Sequence, residues 1–156
     1  MSQKPPFLGK ILVEKRFITQ LDLEDALRVQ DANKEFLGEI LLQKGLITEA
    51  QLYECLAEQC NMELVHIKDK EIDWEIVDIF SKSLILEHKC IPLEERDGTI
   101  ILAVSDPLDA WVVSEAEQQA KGHPVRRVLA YKSEIQEVLE KYRQHMKNKM
   151  KELFGF

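Results

Sequence analysis

Hydrophobic positions in the first sixty residues recur at helical spacing, and the same spacing then occurs a second time. Leu8, Ile11 and Leu12 follow an i, i+3, i+4 pattern, which places them on one face of a helix. A second apolar run follows, in which Leu23 and Leu27 stand four residues apart. The pattern therefore predicts a short helix, a turn and then a longer helix.

This unit is an internal repeat. Residues 7–30 align without gaps with residues 36–59, and a short polar spacer separates the two segments. Identical residues stand at the positions that define the pattern, including Phe7/Phe36, Leu8/Leu37, Gly9/Gly38, Ile18/Ile47, Thr19/Thr48, Leu23/Leu52, Leu27/Leu56 and Gln30/Gln59. Neither repeat can bury its apolar face alone, so we expect the two to pack as a pseudo-symmetric four-helix unit.

The turn inside each repeat has its own sequence signals. Thr19 and Thr48 stand directly before the second apolar run, where a hydroxyl can cap the first turn of a helix. Gly45 predicts a glycine-assisted turn in the second repeat. Arg16 takes that position in the first repeat, so we expect its turn to form without glycine.

The second half of the chain mixes helix and strand patterns. Asp97-Gly98 lies between two β-prone runs, which predicts a hairpin. The other predicted elements are helices over 74–80, 81–88 and 108–121, a strand over 125–130, and a last helix capped by Ser133. We therefore predict an α+β fold, with a pair of helical repeats (four short helices) at residues 1–61 and a small three-stranded sheet covered by helices at 62–156.

Composition and charge narrow the class of protein. The chain has 156 residues, 45% of them hydrophobic and 31% charged, with a formal net charge of −7. Such a charge disfavours general binding to nucleic acid, which needs a basic surface. No apolar run approaches the roughly 18 residues of a membrane span, and the start lacks the apolar stretch of a secretory signal. We expect a cytoplasmic protein whose three cysteines, Cys55, Cys60 and Cys90, stay reduced.

Motifs for catalysis and metal binding are absent from the sequence. It contains neither GxxxxGK[ST] nor GxGxxG, so it lacks the phosphate-cradling loop of P-loop ATPases. The four histidines, His66, His88, His123 and His145, have no spacing that suits a metal. We expect a protein that is not an enzyme and that holds no metal or cofactor.

The repeated 24-residue pattern resembles the N-terminal domain of type II secretion and type IV pilus assembly ATPases. This bacterial domain is the MshEN, or GspE N-terminal, domain, and its motif runs approximately RLGxxLLxxGxITxxxLxxALxxQ, twice. The second half is similar to that family in the run 89–93 and in the run 102–109, which reads LAVSDPLD. The resemblance covers about residues 7–142 and implies a regulatory module without the family's ATPase domain.

In that family several such domains bind cyclic di-GMP across the two repeats. Glycine would let backbone N–H groups approach a phosphate, and amide or carboxylate side chains would pair with a guanine edge. The ligand-binding residues that the resemblance implies are Phe7, Leu8, Gly9, Leu23, Leu27 and Gln30 in the first repeat, Phe36, Leu37, Gly38, Glu39, Leu52, Leu56 and Gln59 in the second, and Asp106.

The sequence departs from the family at the first position of each motif. That position is commonly arginine, which can read guanine through two hydrogen bonds, whereas this chain has Phe7 and Phe36. Losing such a pair of hydrogen bonds weakens the binding free energy by about 1–3 kcal/mol at each site. We interpret the two phenylalanines as hydrophobic plugs that replace a ligand.

Most of the other site residues have a structural explanation beside the functional one. The leucines can be plain helix core, the glycines can permit close helix packing, and Asp106 can stabilise a turn. The basic segment 141–151 is interpreted as a solvated helix face or the start of a linker, with attraction to an acidic membrane surface as the alternative.

Two functions follow from these observations. The first is a regulatory module that senses cyclic di-GMP for a secretion or pilus ATPase. The second is a docking module without ligand, which links the ATPase core to an inner-membrane platform protein. In either case we expect a cytoplasmic location, peripheral to the inner membrane through such partners.

Overall fold

The structure, a computed structural model, describes residues 7–155. Contacts between residues divide the chain into two units, which we call unit 1 (Met1–Met62) and unit 2 (Glu63–Phe156). Each unit has its own buried apolar residues.

Unit 1 contains the two repeats as two helix pairs. Helix α1 packs against α4, and α3 packs against α2, so the first helix of each repeat lies on the second helix of the other. The four helices thus form the pseudo-symmetric unit that the repeat predicts, and the interlocked packing is seen only in the structure. The helices are α1 Leu8–Glu14, α2 Gln20–Asn33, α3 Leu37–Gln43 and α4 Glu49–Cys60.

Reciprocal hydrogen bonds cap the two longer helices of unit 1. The Thr19 hydroxyl accepts from the Asp22 N–H at 3.1 Å, and the Asp22 carboxylate accepts from the Thr19 N–H at 3.0 Å. Thr48 and Gln51 repeat the arrangement at 3.1 and 3.0 Å. The prediction that both threonines are N-caps is confirmed, and each helix has two of its free N–H groups satisfied.

Unit 2 is a four-stranded mixed sheet covered by helices. The strand order is β1-β4-β3-β2, with β2 and β3 antiparallel and β4 parallel to both β3 and β1. Arg96 pairs with Thr99 across Asp97-Gly98, so the predicted hairpin is confirmed. The elements are β1 Leu64–Val65, α5 Trp74–Val77, α6 Lys82–His88, β2 Cys90–Arg96, β3 Thr99–Val104, α7 Val112–Gln119, β4 Val125–Ala130 and α8 Lys132–Phe154.

The α+β class is confirmed, but the predicted number of three strands is wrong. The additional strand, β1, is only two residues long, so it shows no alternation that sequence reasoning could detect. The start of α8 also differs from the prediction. Tyr131 is its N-cap and contributes no side-chain cap, while Ser133 lies inside the first turn.

Two helices of unit 2 are shorter than their apolar patterns predict. Helix α5 ends at Val77 instead of reaching residue 80, and α7 begins at Val112 instead of 108. Residues 105–111 instead form an irregular segment after β3. None of the helices in the described range 7–155 is both long and apolar enough to cross a membrane.

Candidate ligand site in the helical repeats

The glycines of the two repeats are sites of close helix packing. Gly9 and Gly38 are buried near the starts of α1 and α3. A Cβ atom on Gly9 would lie 2.5 Å from Cδ1 of Leu23, and one on Gly38 would lie 2.7 Å from Cδ1 of Leu52. The leucine of each second helix therefore occupies the space that a side chain would need. The same contact recurs in both repeats and gives unit 1 two equivalent Gly–Leu pairs.

The leucines implicated in ligand binding are mostly core. All except Leu27 are buried: Leu8, Leu23, Leu37, Leu52 and Leu56. Leu27 is 39% exposed, whereas its repeat equivalent Leu56 is 3% exposed. The interpretation of Leu27 as plain core is therefore wrong, whereas Leu56 is part of the core. Leu27 offers an apolar contact surface to a ligand, and Leu56 does not.

The two phenylalanines at the motif starts occupy different environments. Phe7 is 80% exposed, so the interpretation of this residue as a hydrophobic plug is wrong. Phe36 is 41% exposed, and its ring atom Cε1 lies 3.1 Å from the position that a Cβ of Gly38 would take. The Phe36 ring thus lies over the first turn of α3, and the Phe7 ring is presented to solvent.

The two glutamines that close the repeats also differ. The Gln30 amide donates to the Glu35 backbone oxygen at 3.1 Å and so holds the spacer between the repeats. Gln59 is half-buried, and its side chain makes no hydrogen bond within residues 7–155. Glu39 is half-buried in the first turn of α3. Gln59 is therefore the glutamine whose amide is available for a ligand.

Sequence reasoning did not single out Lys15, which joins the two repeats. Its Nζ lies 3.1 Å from Oε2 of Glu58 and 3.7 Å from Oε1 of Glu54, so the end of α1 is tied to α4. The hydrogen bond to Glu58 raises the pKa of Lys15 above its ordinary value. The sequence does mark this position, because a lysine recurs at the equivalent position of the second repeat, Lys44.

Buried thiols do not add a reactive or metal-binding group. Burial raises the pKa of Cys55 to about 11 and that of Cys90 to about 12, so both stay protonated at neutral pH. Across the part of the chain that the structure describes, His, Cys, Asp and Glu side chains form no group of three or more placed to hold a metal ion.

Asp106 belongs to unit 2 and has a local structural role there. Its carboxylate accepts from the Leu108 N–H at 2.9 Å, which is the turn-stabilising contact considered above. The neighbouring Asp109 is held by His88, with 2.6 Å between Nδ1 and Oδ2, and this hydrogen bond raises the pKa of His88. Arg127 donates to the Asp109 backbone oxygen at 3.3 Å. These contacts order the segment after β3 and leave Leu108 exposed.

In the described residues, interlocked helical repeats form one unit, and a small mixed sheet covered by helices forms the other. Residues 60–149 match the family model of the MshEN domain, and the chain belongs to this family. The matched range lies almost entirely in unit 2, so the sheet unit identifies the family independently of the repeats.

Among curated proteins, the chain is similar to the type IV pilus assembly ATPase PilB of Myxococcus xanthus (strain DK1622). The two are 24% identical over 135 residues, which is 86% of this chain and 24% of PilB. The chain thus spans about a quarter of the length of this relative. Its 156 residues include the MshEN domain and contain no P-loop motif.

Solved structures share the fold. A structure of MshE with cdg (cyclic di-GMP) has a TM-score of 0.79 and 23% identity, and the match covers 88% of this chain and 99% of that one. The N-terminal domain of XpsE has a TM-score of 0.66 and 24% identity, covering 90% and 97%. These likenesses show the architecture of the chain.

Proposed function

We propose that this chain is a regulatory module of a type II secretion or type IV pilus assembly ATPase, and that unit 1 binds cyclic di-GMP. The observation that carries the proposal is the pair of equivalent Gly–Leu contacts in two interlocked repeats. Cyclic di-GMP has two guanines and two phosphates related by a twofold axis. A pseudo-twofold arrangement of helices can approach both halves of such a ligand, although Leu27 and its repeat equivalent Leu56 are not equally exposed.

The side chains present suit the chemistry of this ligand. Phe7 and Leu27 expose apolar surface on which a guanine can stack or rest. The half-buried Gln59 amide can donate to and accept from a guanine edge. Without the family's arginine, the guanines are held by stacking and by amide contacts. We therefore expect weaker binding than in a domain that carries arginine at these positions. The fold likeness to MshE with cdg supports the same assignment.

A thermal-shift experiment with cyclic di-GMP tests the proposal. A ligand present at 100 times its Kd stabilises a one-site protein by about 2.7 kcal/mol, which raises Tm measurably. We expect a saturable increase in Tm for the unmodified chain and its loss in Gln59→Ala. The matched control is Gln43→Ala, since Gln43 is an exposed glutamine near the end of α3. An equal shift in both variants, or none in the unmodified chain, would contradict the proposal.

A docking module without ligand is the second candidate function. Two observations favour it: neither Phe7 nor Phe36 can donate a hydrogen bond, and the Gln30 amide is already engaged by the Glu35 backbone oxygen. The partner would be the ATPase core or an inner-membrane platform protein. For this function, Gln59→Ala leaves capture of a purified partner unchanged, while Glu24→Lys on the exposed face of α2 reduces it.

We further propose that the module acts in the cytoplasm and is brought to the inner membrane by such partners. Co-fractionation with membranes only when the partner is present would support this location. Fractionation with membranes in the absence of the partner would contradict it.

A further inference from the structure

A second surface, in unit 2, is independent of the repeats. The helices α6 and α8 enclose a groove of about 570 Å³. Its apolar lining comes from Leu86 of α6 and from Tyr142, Met146 and Met150, which stand four residues apart on α8. Tyr142 is buried, whereas Met150 is 48% exposed. The groove therefore continues the core of unit 2 outward along α8.

Basic side chains line the same groove. On α8 each residue of the apolar stripe is followed directly by a basic residue: Arg143, Lys147 or Lys151. A fourth basic side chain, Lys82, comes from α6. The groove lining includes no carboxylate, and among the described residues no ion pair engages Lys82, Lys147 or Lys151. Arg143 pairs with Glu140 at 3.2 Å in an exposed ion pair. The groove thus combines an apolar floor with a positive rim.

This local charge opposes the charge of the whole chain. Residues 141–152 contain five basic residues and one acidic residue, whereas the chain has a formal net charge of −7. Asp78 neutralises part of the other face of α8 by pairing with His145 and Lys149. The excess positive charge is therefore concentrated on the groove side of the helix.

We propose that this groove binds an amphipathic helix of another protein, one whose apolar face is flanked by acidic residues. From Tyr142 to Lys151 the groove extends about 14 Å along α8, the length of about two and a half helical turns. Methionines can repack around the side chains of an incoming helix. The lysines at the rim complement carboxylates beside the apolar face of that helix.

The shape and charge of the groove favour this occupant over two others. A lipid surface is flat, whereas the apolar floor here is recessed between two helices, so a narrow rod contacts it better. A second copy that presented the same face would bring like charges together, which disfavours a symmetric dimer. The proposal stands whether or not unit 1 binds a nucleotide, because it concerns unit 2.

The test uses the whole chain and a panel of fluorescent 14-residue peptides. Each peptide carries leucines at positions i, i+3, i+4 and i+7, with glutamates on both sides of this apolar face. The peptides of the panel differ in the positions of the glutamates, for which three arrangements are used. Scrambled peptides of the same composition and versions with lysine in place of glutamate serve as references. We expect fluorescence anisotropy to show saturable binding of at least one acidic amphipathic peptide, weakened by added salt, with no binding of the references.

Variants locate the binding surface. We expect Lys147→Glu with Lys151→Glu, and separately Met150→Glu, to weaken peptide binding about tenfold or more. Lys141→Glu is the matched control, because Lys141 is an exposed lysine of α8 outside the groove, and it should change the affinity less than about twofold. Thermal unfolding of each variant checks that the fold is retained, as expected for exposed positions.

Several results would overturn the proposal. One is the absence of peptide binding across the panel, and another is equal binding of scrambled peptides. Sedimentation with phosphatidylglycerol vesicles, lost in the double lysine variant and seen without any peptide binding, would assign the groove to a lipid surface. Light scattering that showed a dimer broken by the same variant would assign it to a second copy.

Discussion

Repeat one (residues 7–30) and repeat two (36–59) follow the same pattern of apolar positions, yet their second helices bury different sets of side chains. Helix α2 buries Leu23 and Ala26, whereas α4 buries Leu52, Tyr53, Cys55 and Leu56. A helical pattern therefore predicts which residues lie on the apolar face, but neighbouring elements decide how much of that face is covered. In this chain the difference leaves Leu27 available in one repeat and covers Leu56 in the other.

The turns of the two repeats solve the same backbone problem with different residues. Gly45 has φ of 70°, and Arg16 adopts φ of 62° at the equivalent position. A non-glycine residue in this left-handed region is strained by its Cβ. The turn of the first repeat therefore carries a conformational strain energy that the turn of the second repeat does not. Lys15, whose Nζ pairs with Glu54 and Glu58, directly precedes Arg16 in that turn.

The largest effect expected from this comparison is at the paired leucines. Leu56→Ala should lower the free energy of unfolding by about 2–5 kcal/mol, since it opens a cavity at a buried position. Leu27→Ala should lower it by less than about 1 kcal/mol, because much of that side chain is already in water. Urea unfolding at 25 °C measures both. Equal costs at the two positions would show that the repeats are packed alike after all.

The capping threonines should give an intermediate effect that is the same in both repeats. Thr19→Ala and Thr48→Ala each remove the hydroxyl that accepts from the backbone N–H three residues later. We expect each to cost about 1 kcal/mol of stability. Thermal unfolding of the two variants, with Thr19→Ser and Thr48→Ser as conservative controls, checks the symmetry. A cost confined to one repeat would mean that the two capping boxes are not equivalent.

The smallest effect is expected at the turns, where its sign differs between the repeats. Gly45→Arg should destabilise the chain by about 1 kcal/mol, because it forces a Cβ into a left-handed conformation. Arg16→Gly should stabilise it by about 0.5 kcal/mol, since relief of strain exceeds the added freedom of the unfolded chain. The same urea titration measures both, and a destabilising Arg16→Gly would reveal contacts of that side chain that outweigh the strain.

The elements that the sequence predicted correctly are those with a local signal. Asp97-Gly98 identifies its hairpin from two residues, and Thr19 and Thr48 mark their helices because the capping hydroxyl acts within one turn. Strand β1 escaped prediction because its pairing with β4 is set by residues far away in the chain. The start of α8 was misplaced for a similar reason, since Tyr131 is buried by the fold.

At the candidate site, too, the sequence predicts local features but not those that depend on tertiary packing. The repeat predicts that Gly9 and Gly38 are equivalent, and both do contact the leucine of the following helix. It cannot predict that Phe36 lies over its glycine while Phe7 is exposed, because this depends on side-chain packing around each helix start. Nor can it predict that Gln30 is used by the spacer, since the acceptor is a backbone oxygen whose position depends on the turn.

The most direct test of the proposed sensing function is calorimetric titration of the unmodified chain with cyclic di-GMP. The Phe7→Arg, Phe36→Arg double variant is titrated alongside. We expect saturable binding by the unmodified chain and tighter binding by the variant, since each arginine adds about 1–3 kcal/mol of binding free energy per guanine. Saturable binding by the variant alone, or by neither protein, would contradict the claim that this chain senses the nucleotide.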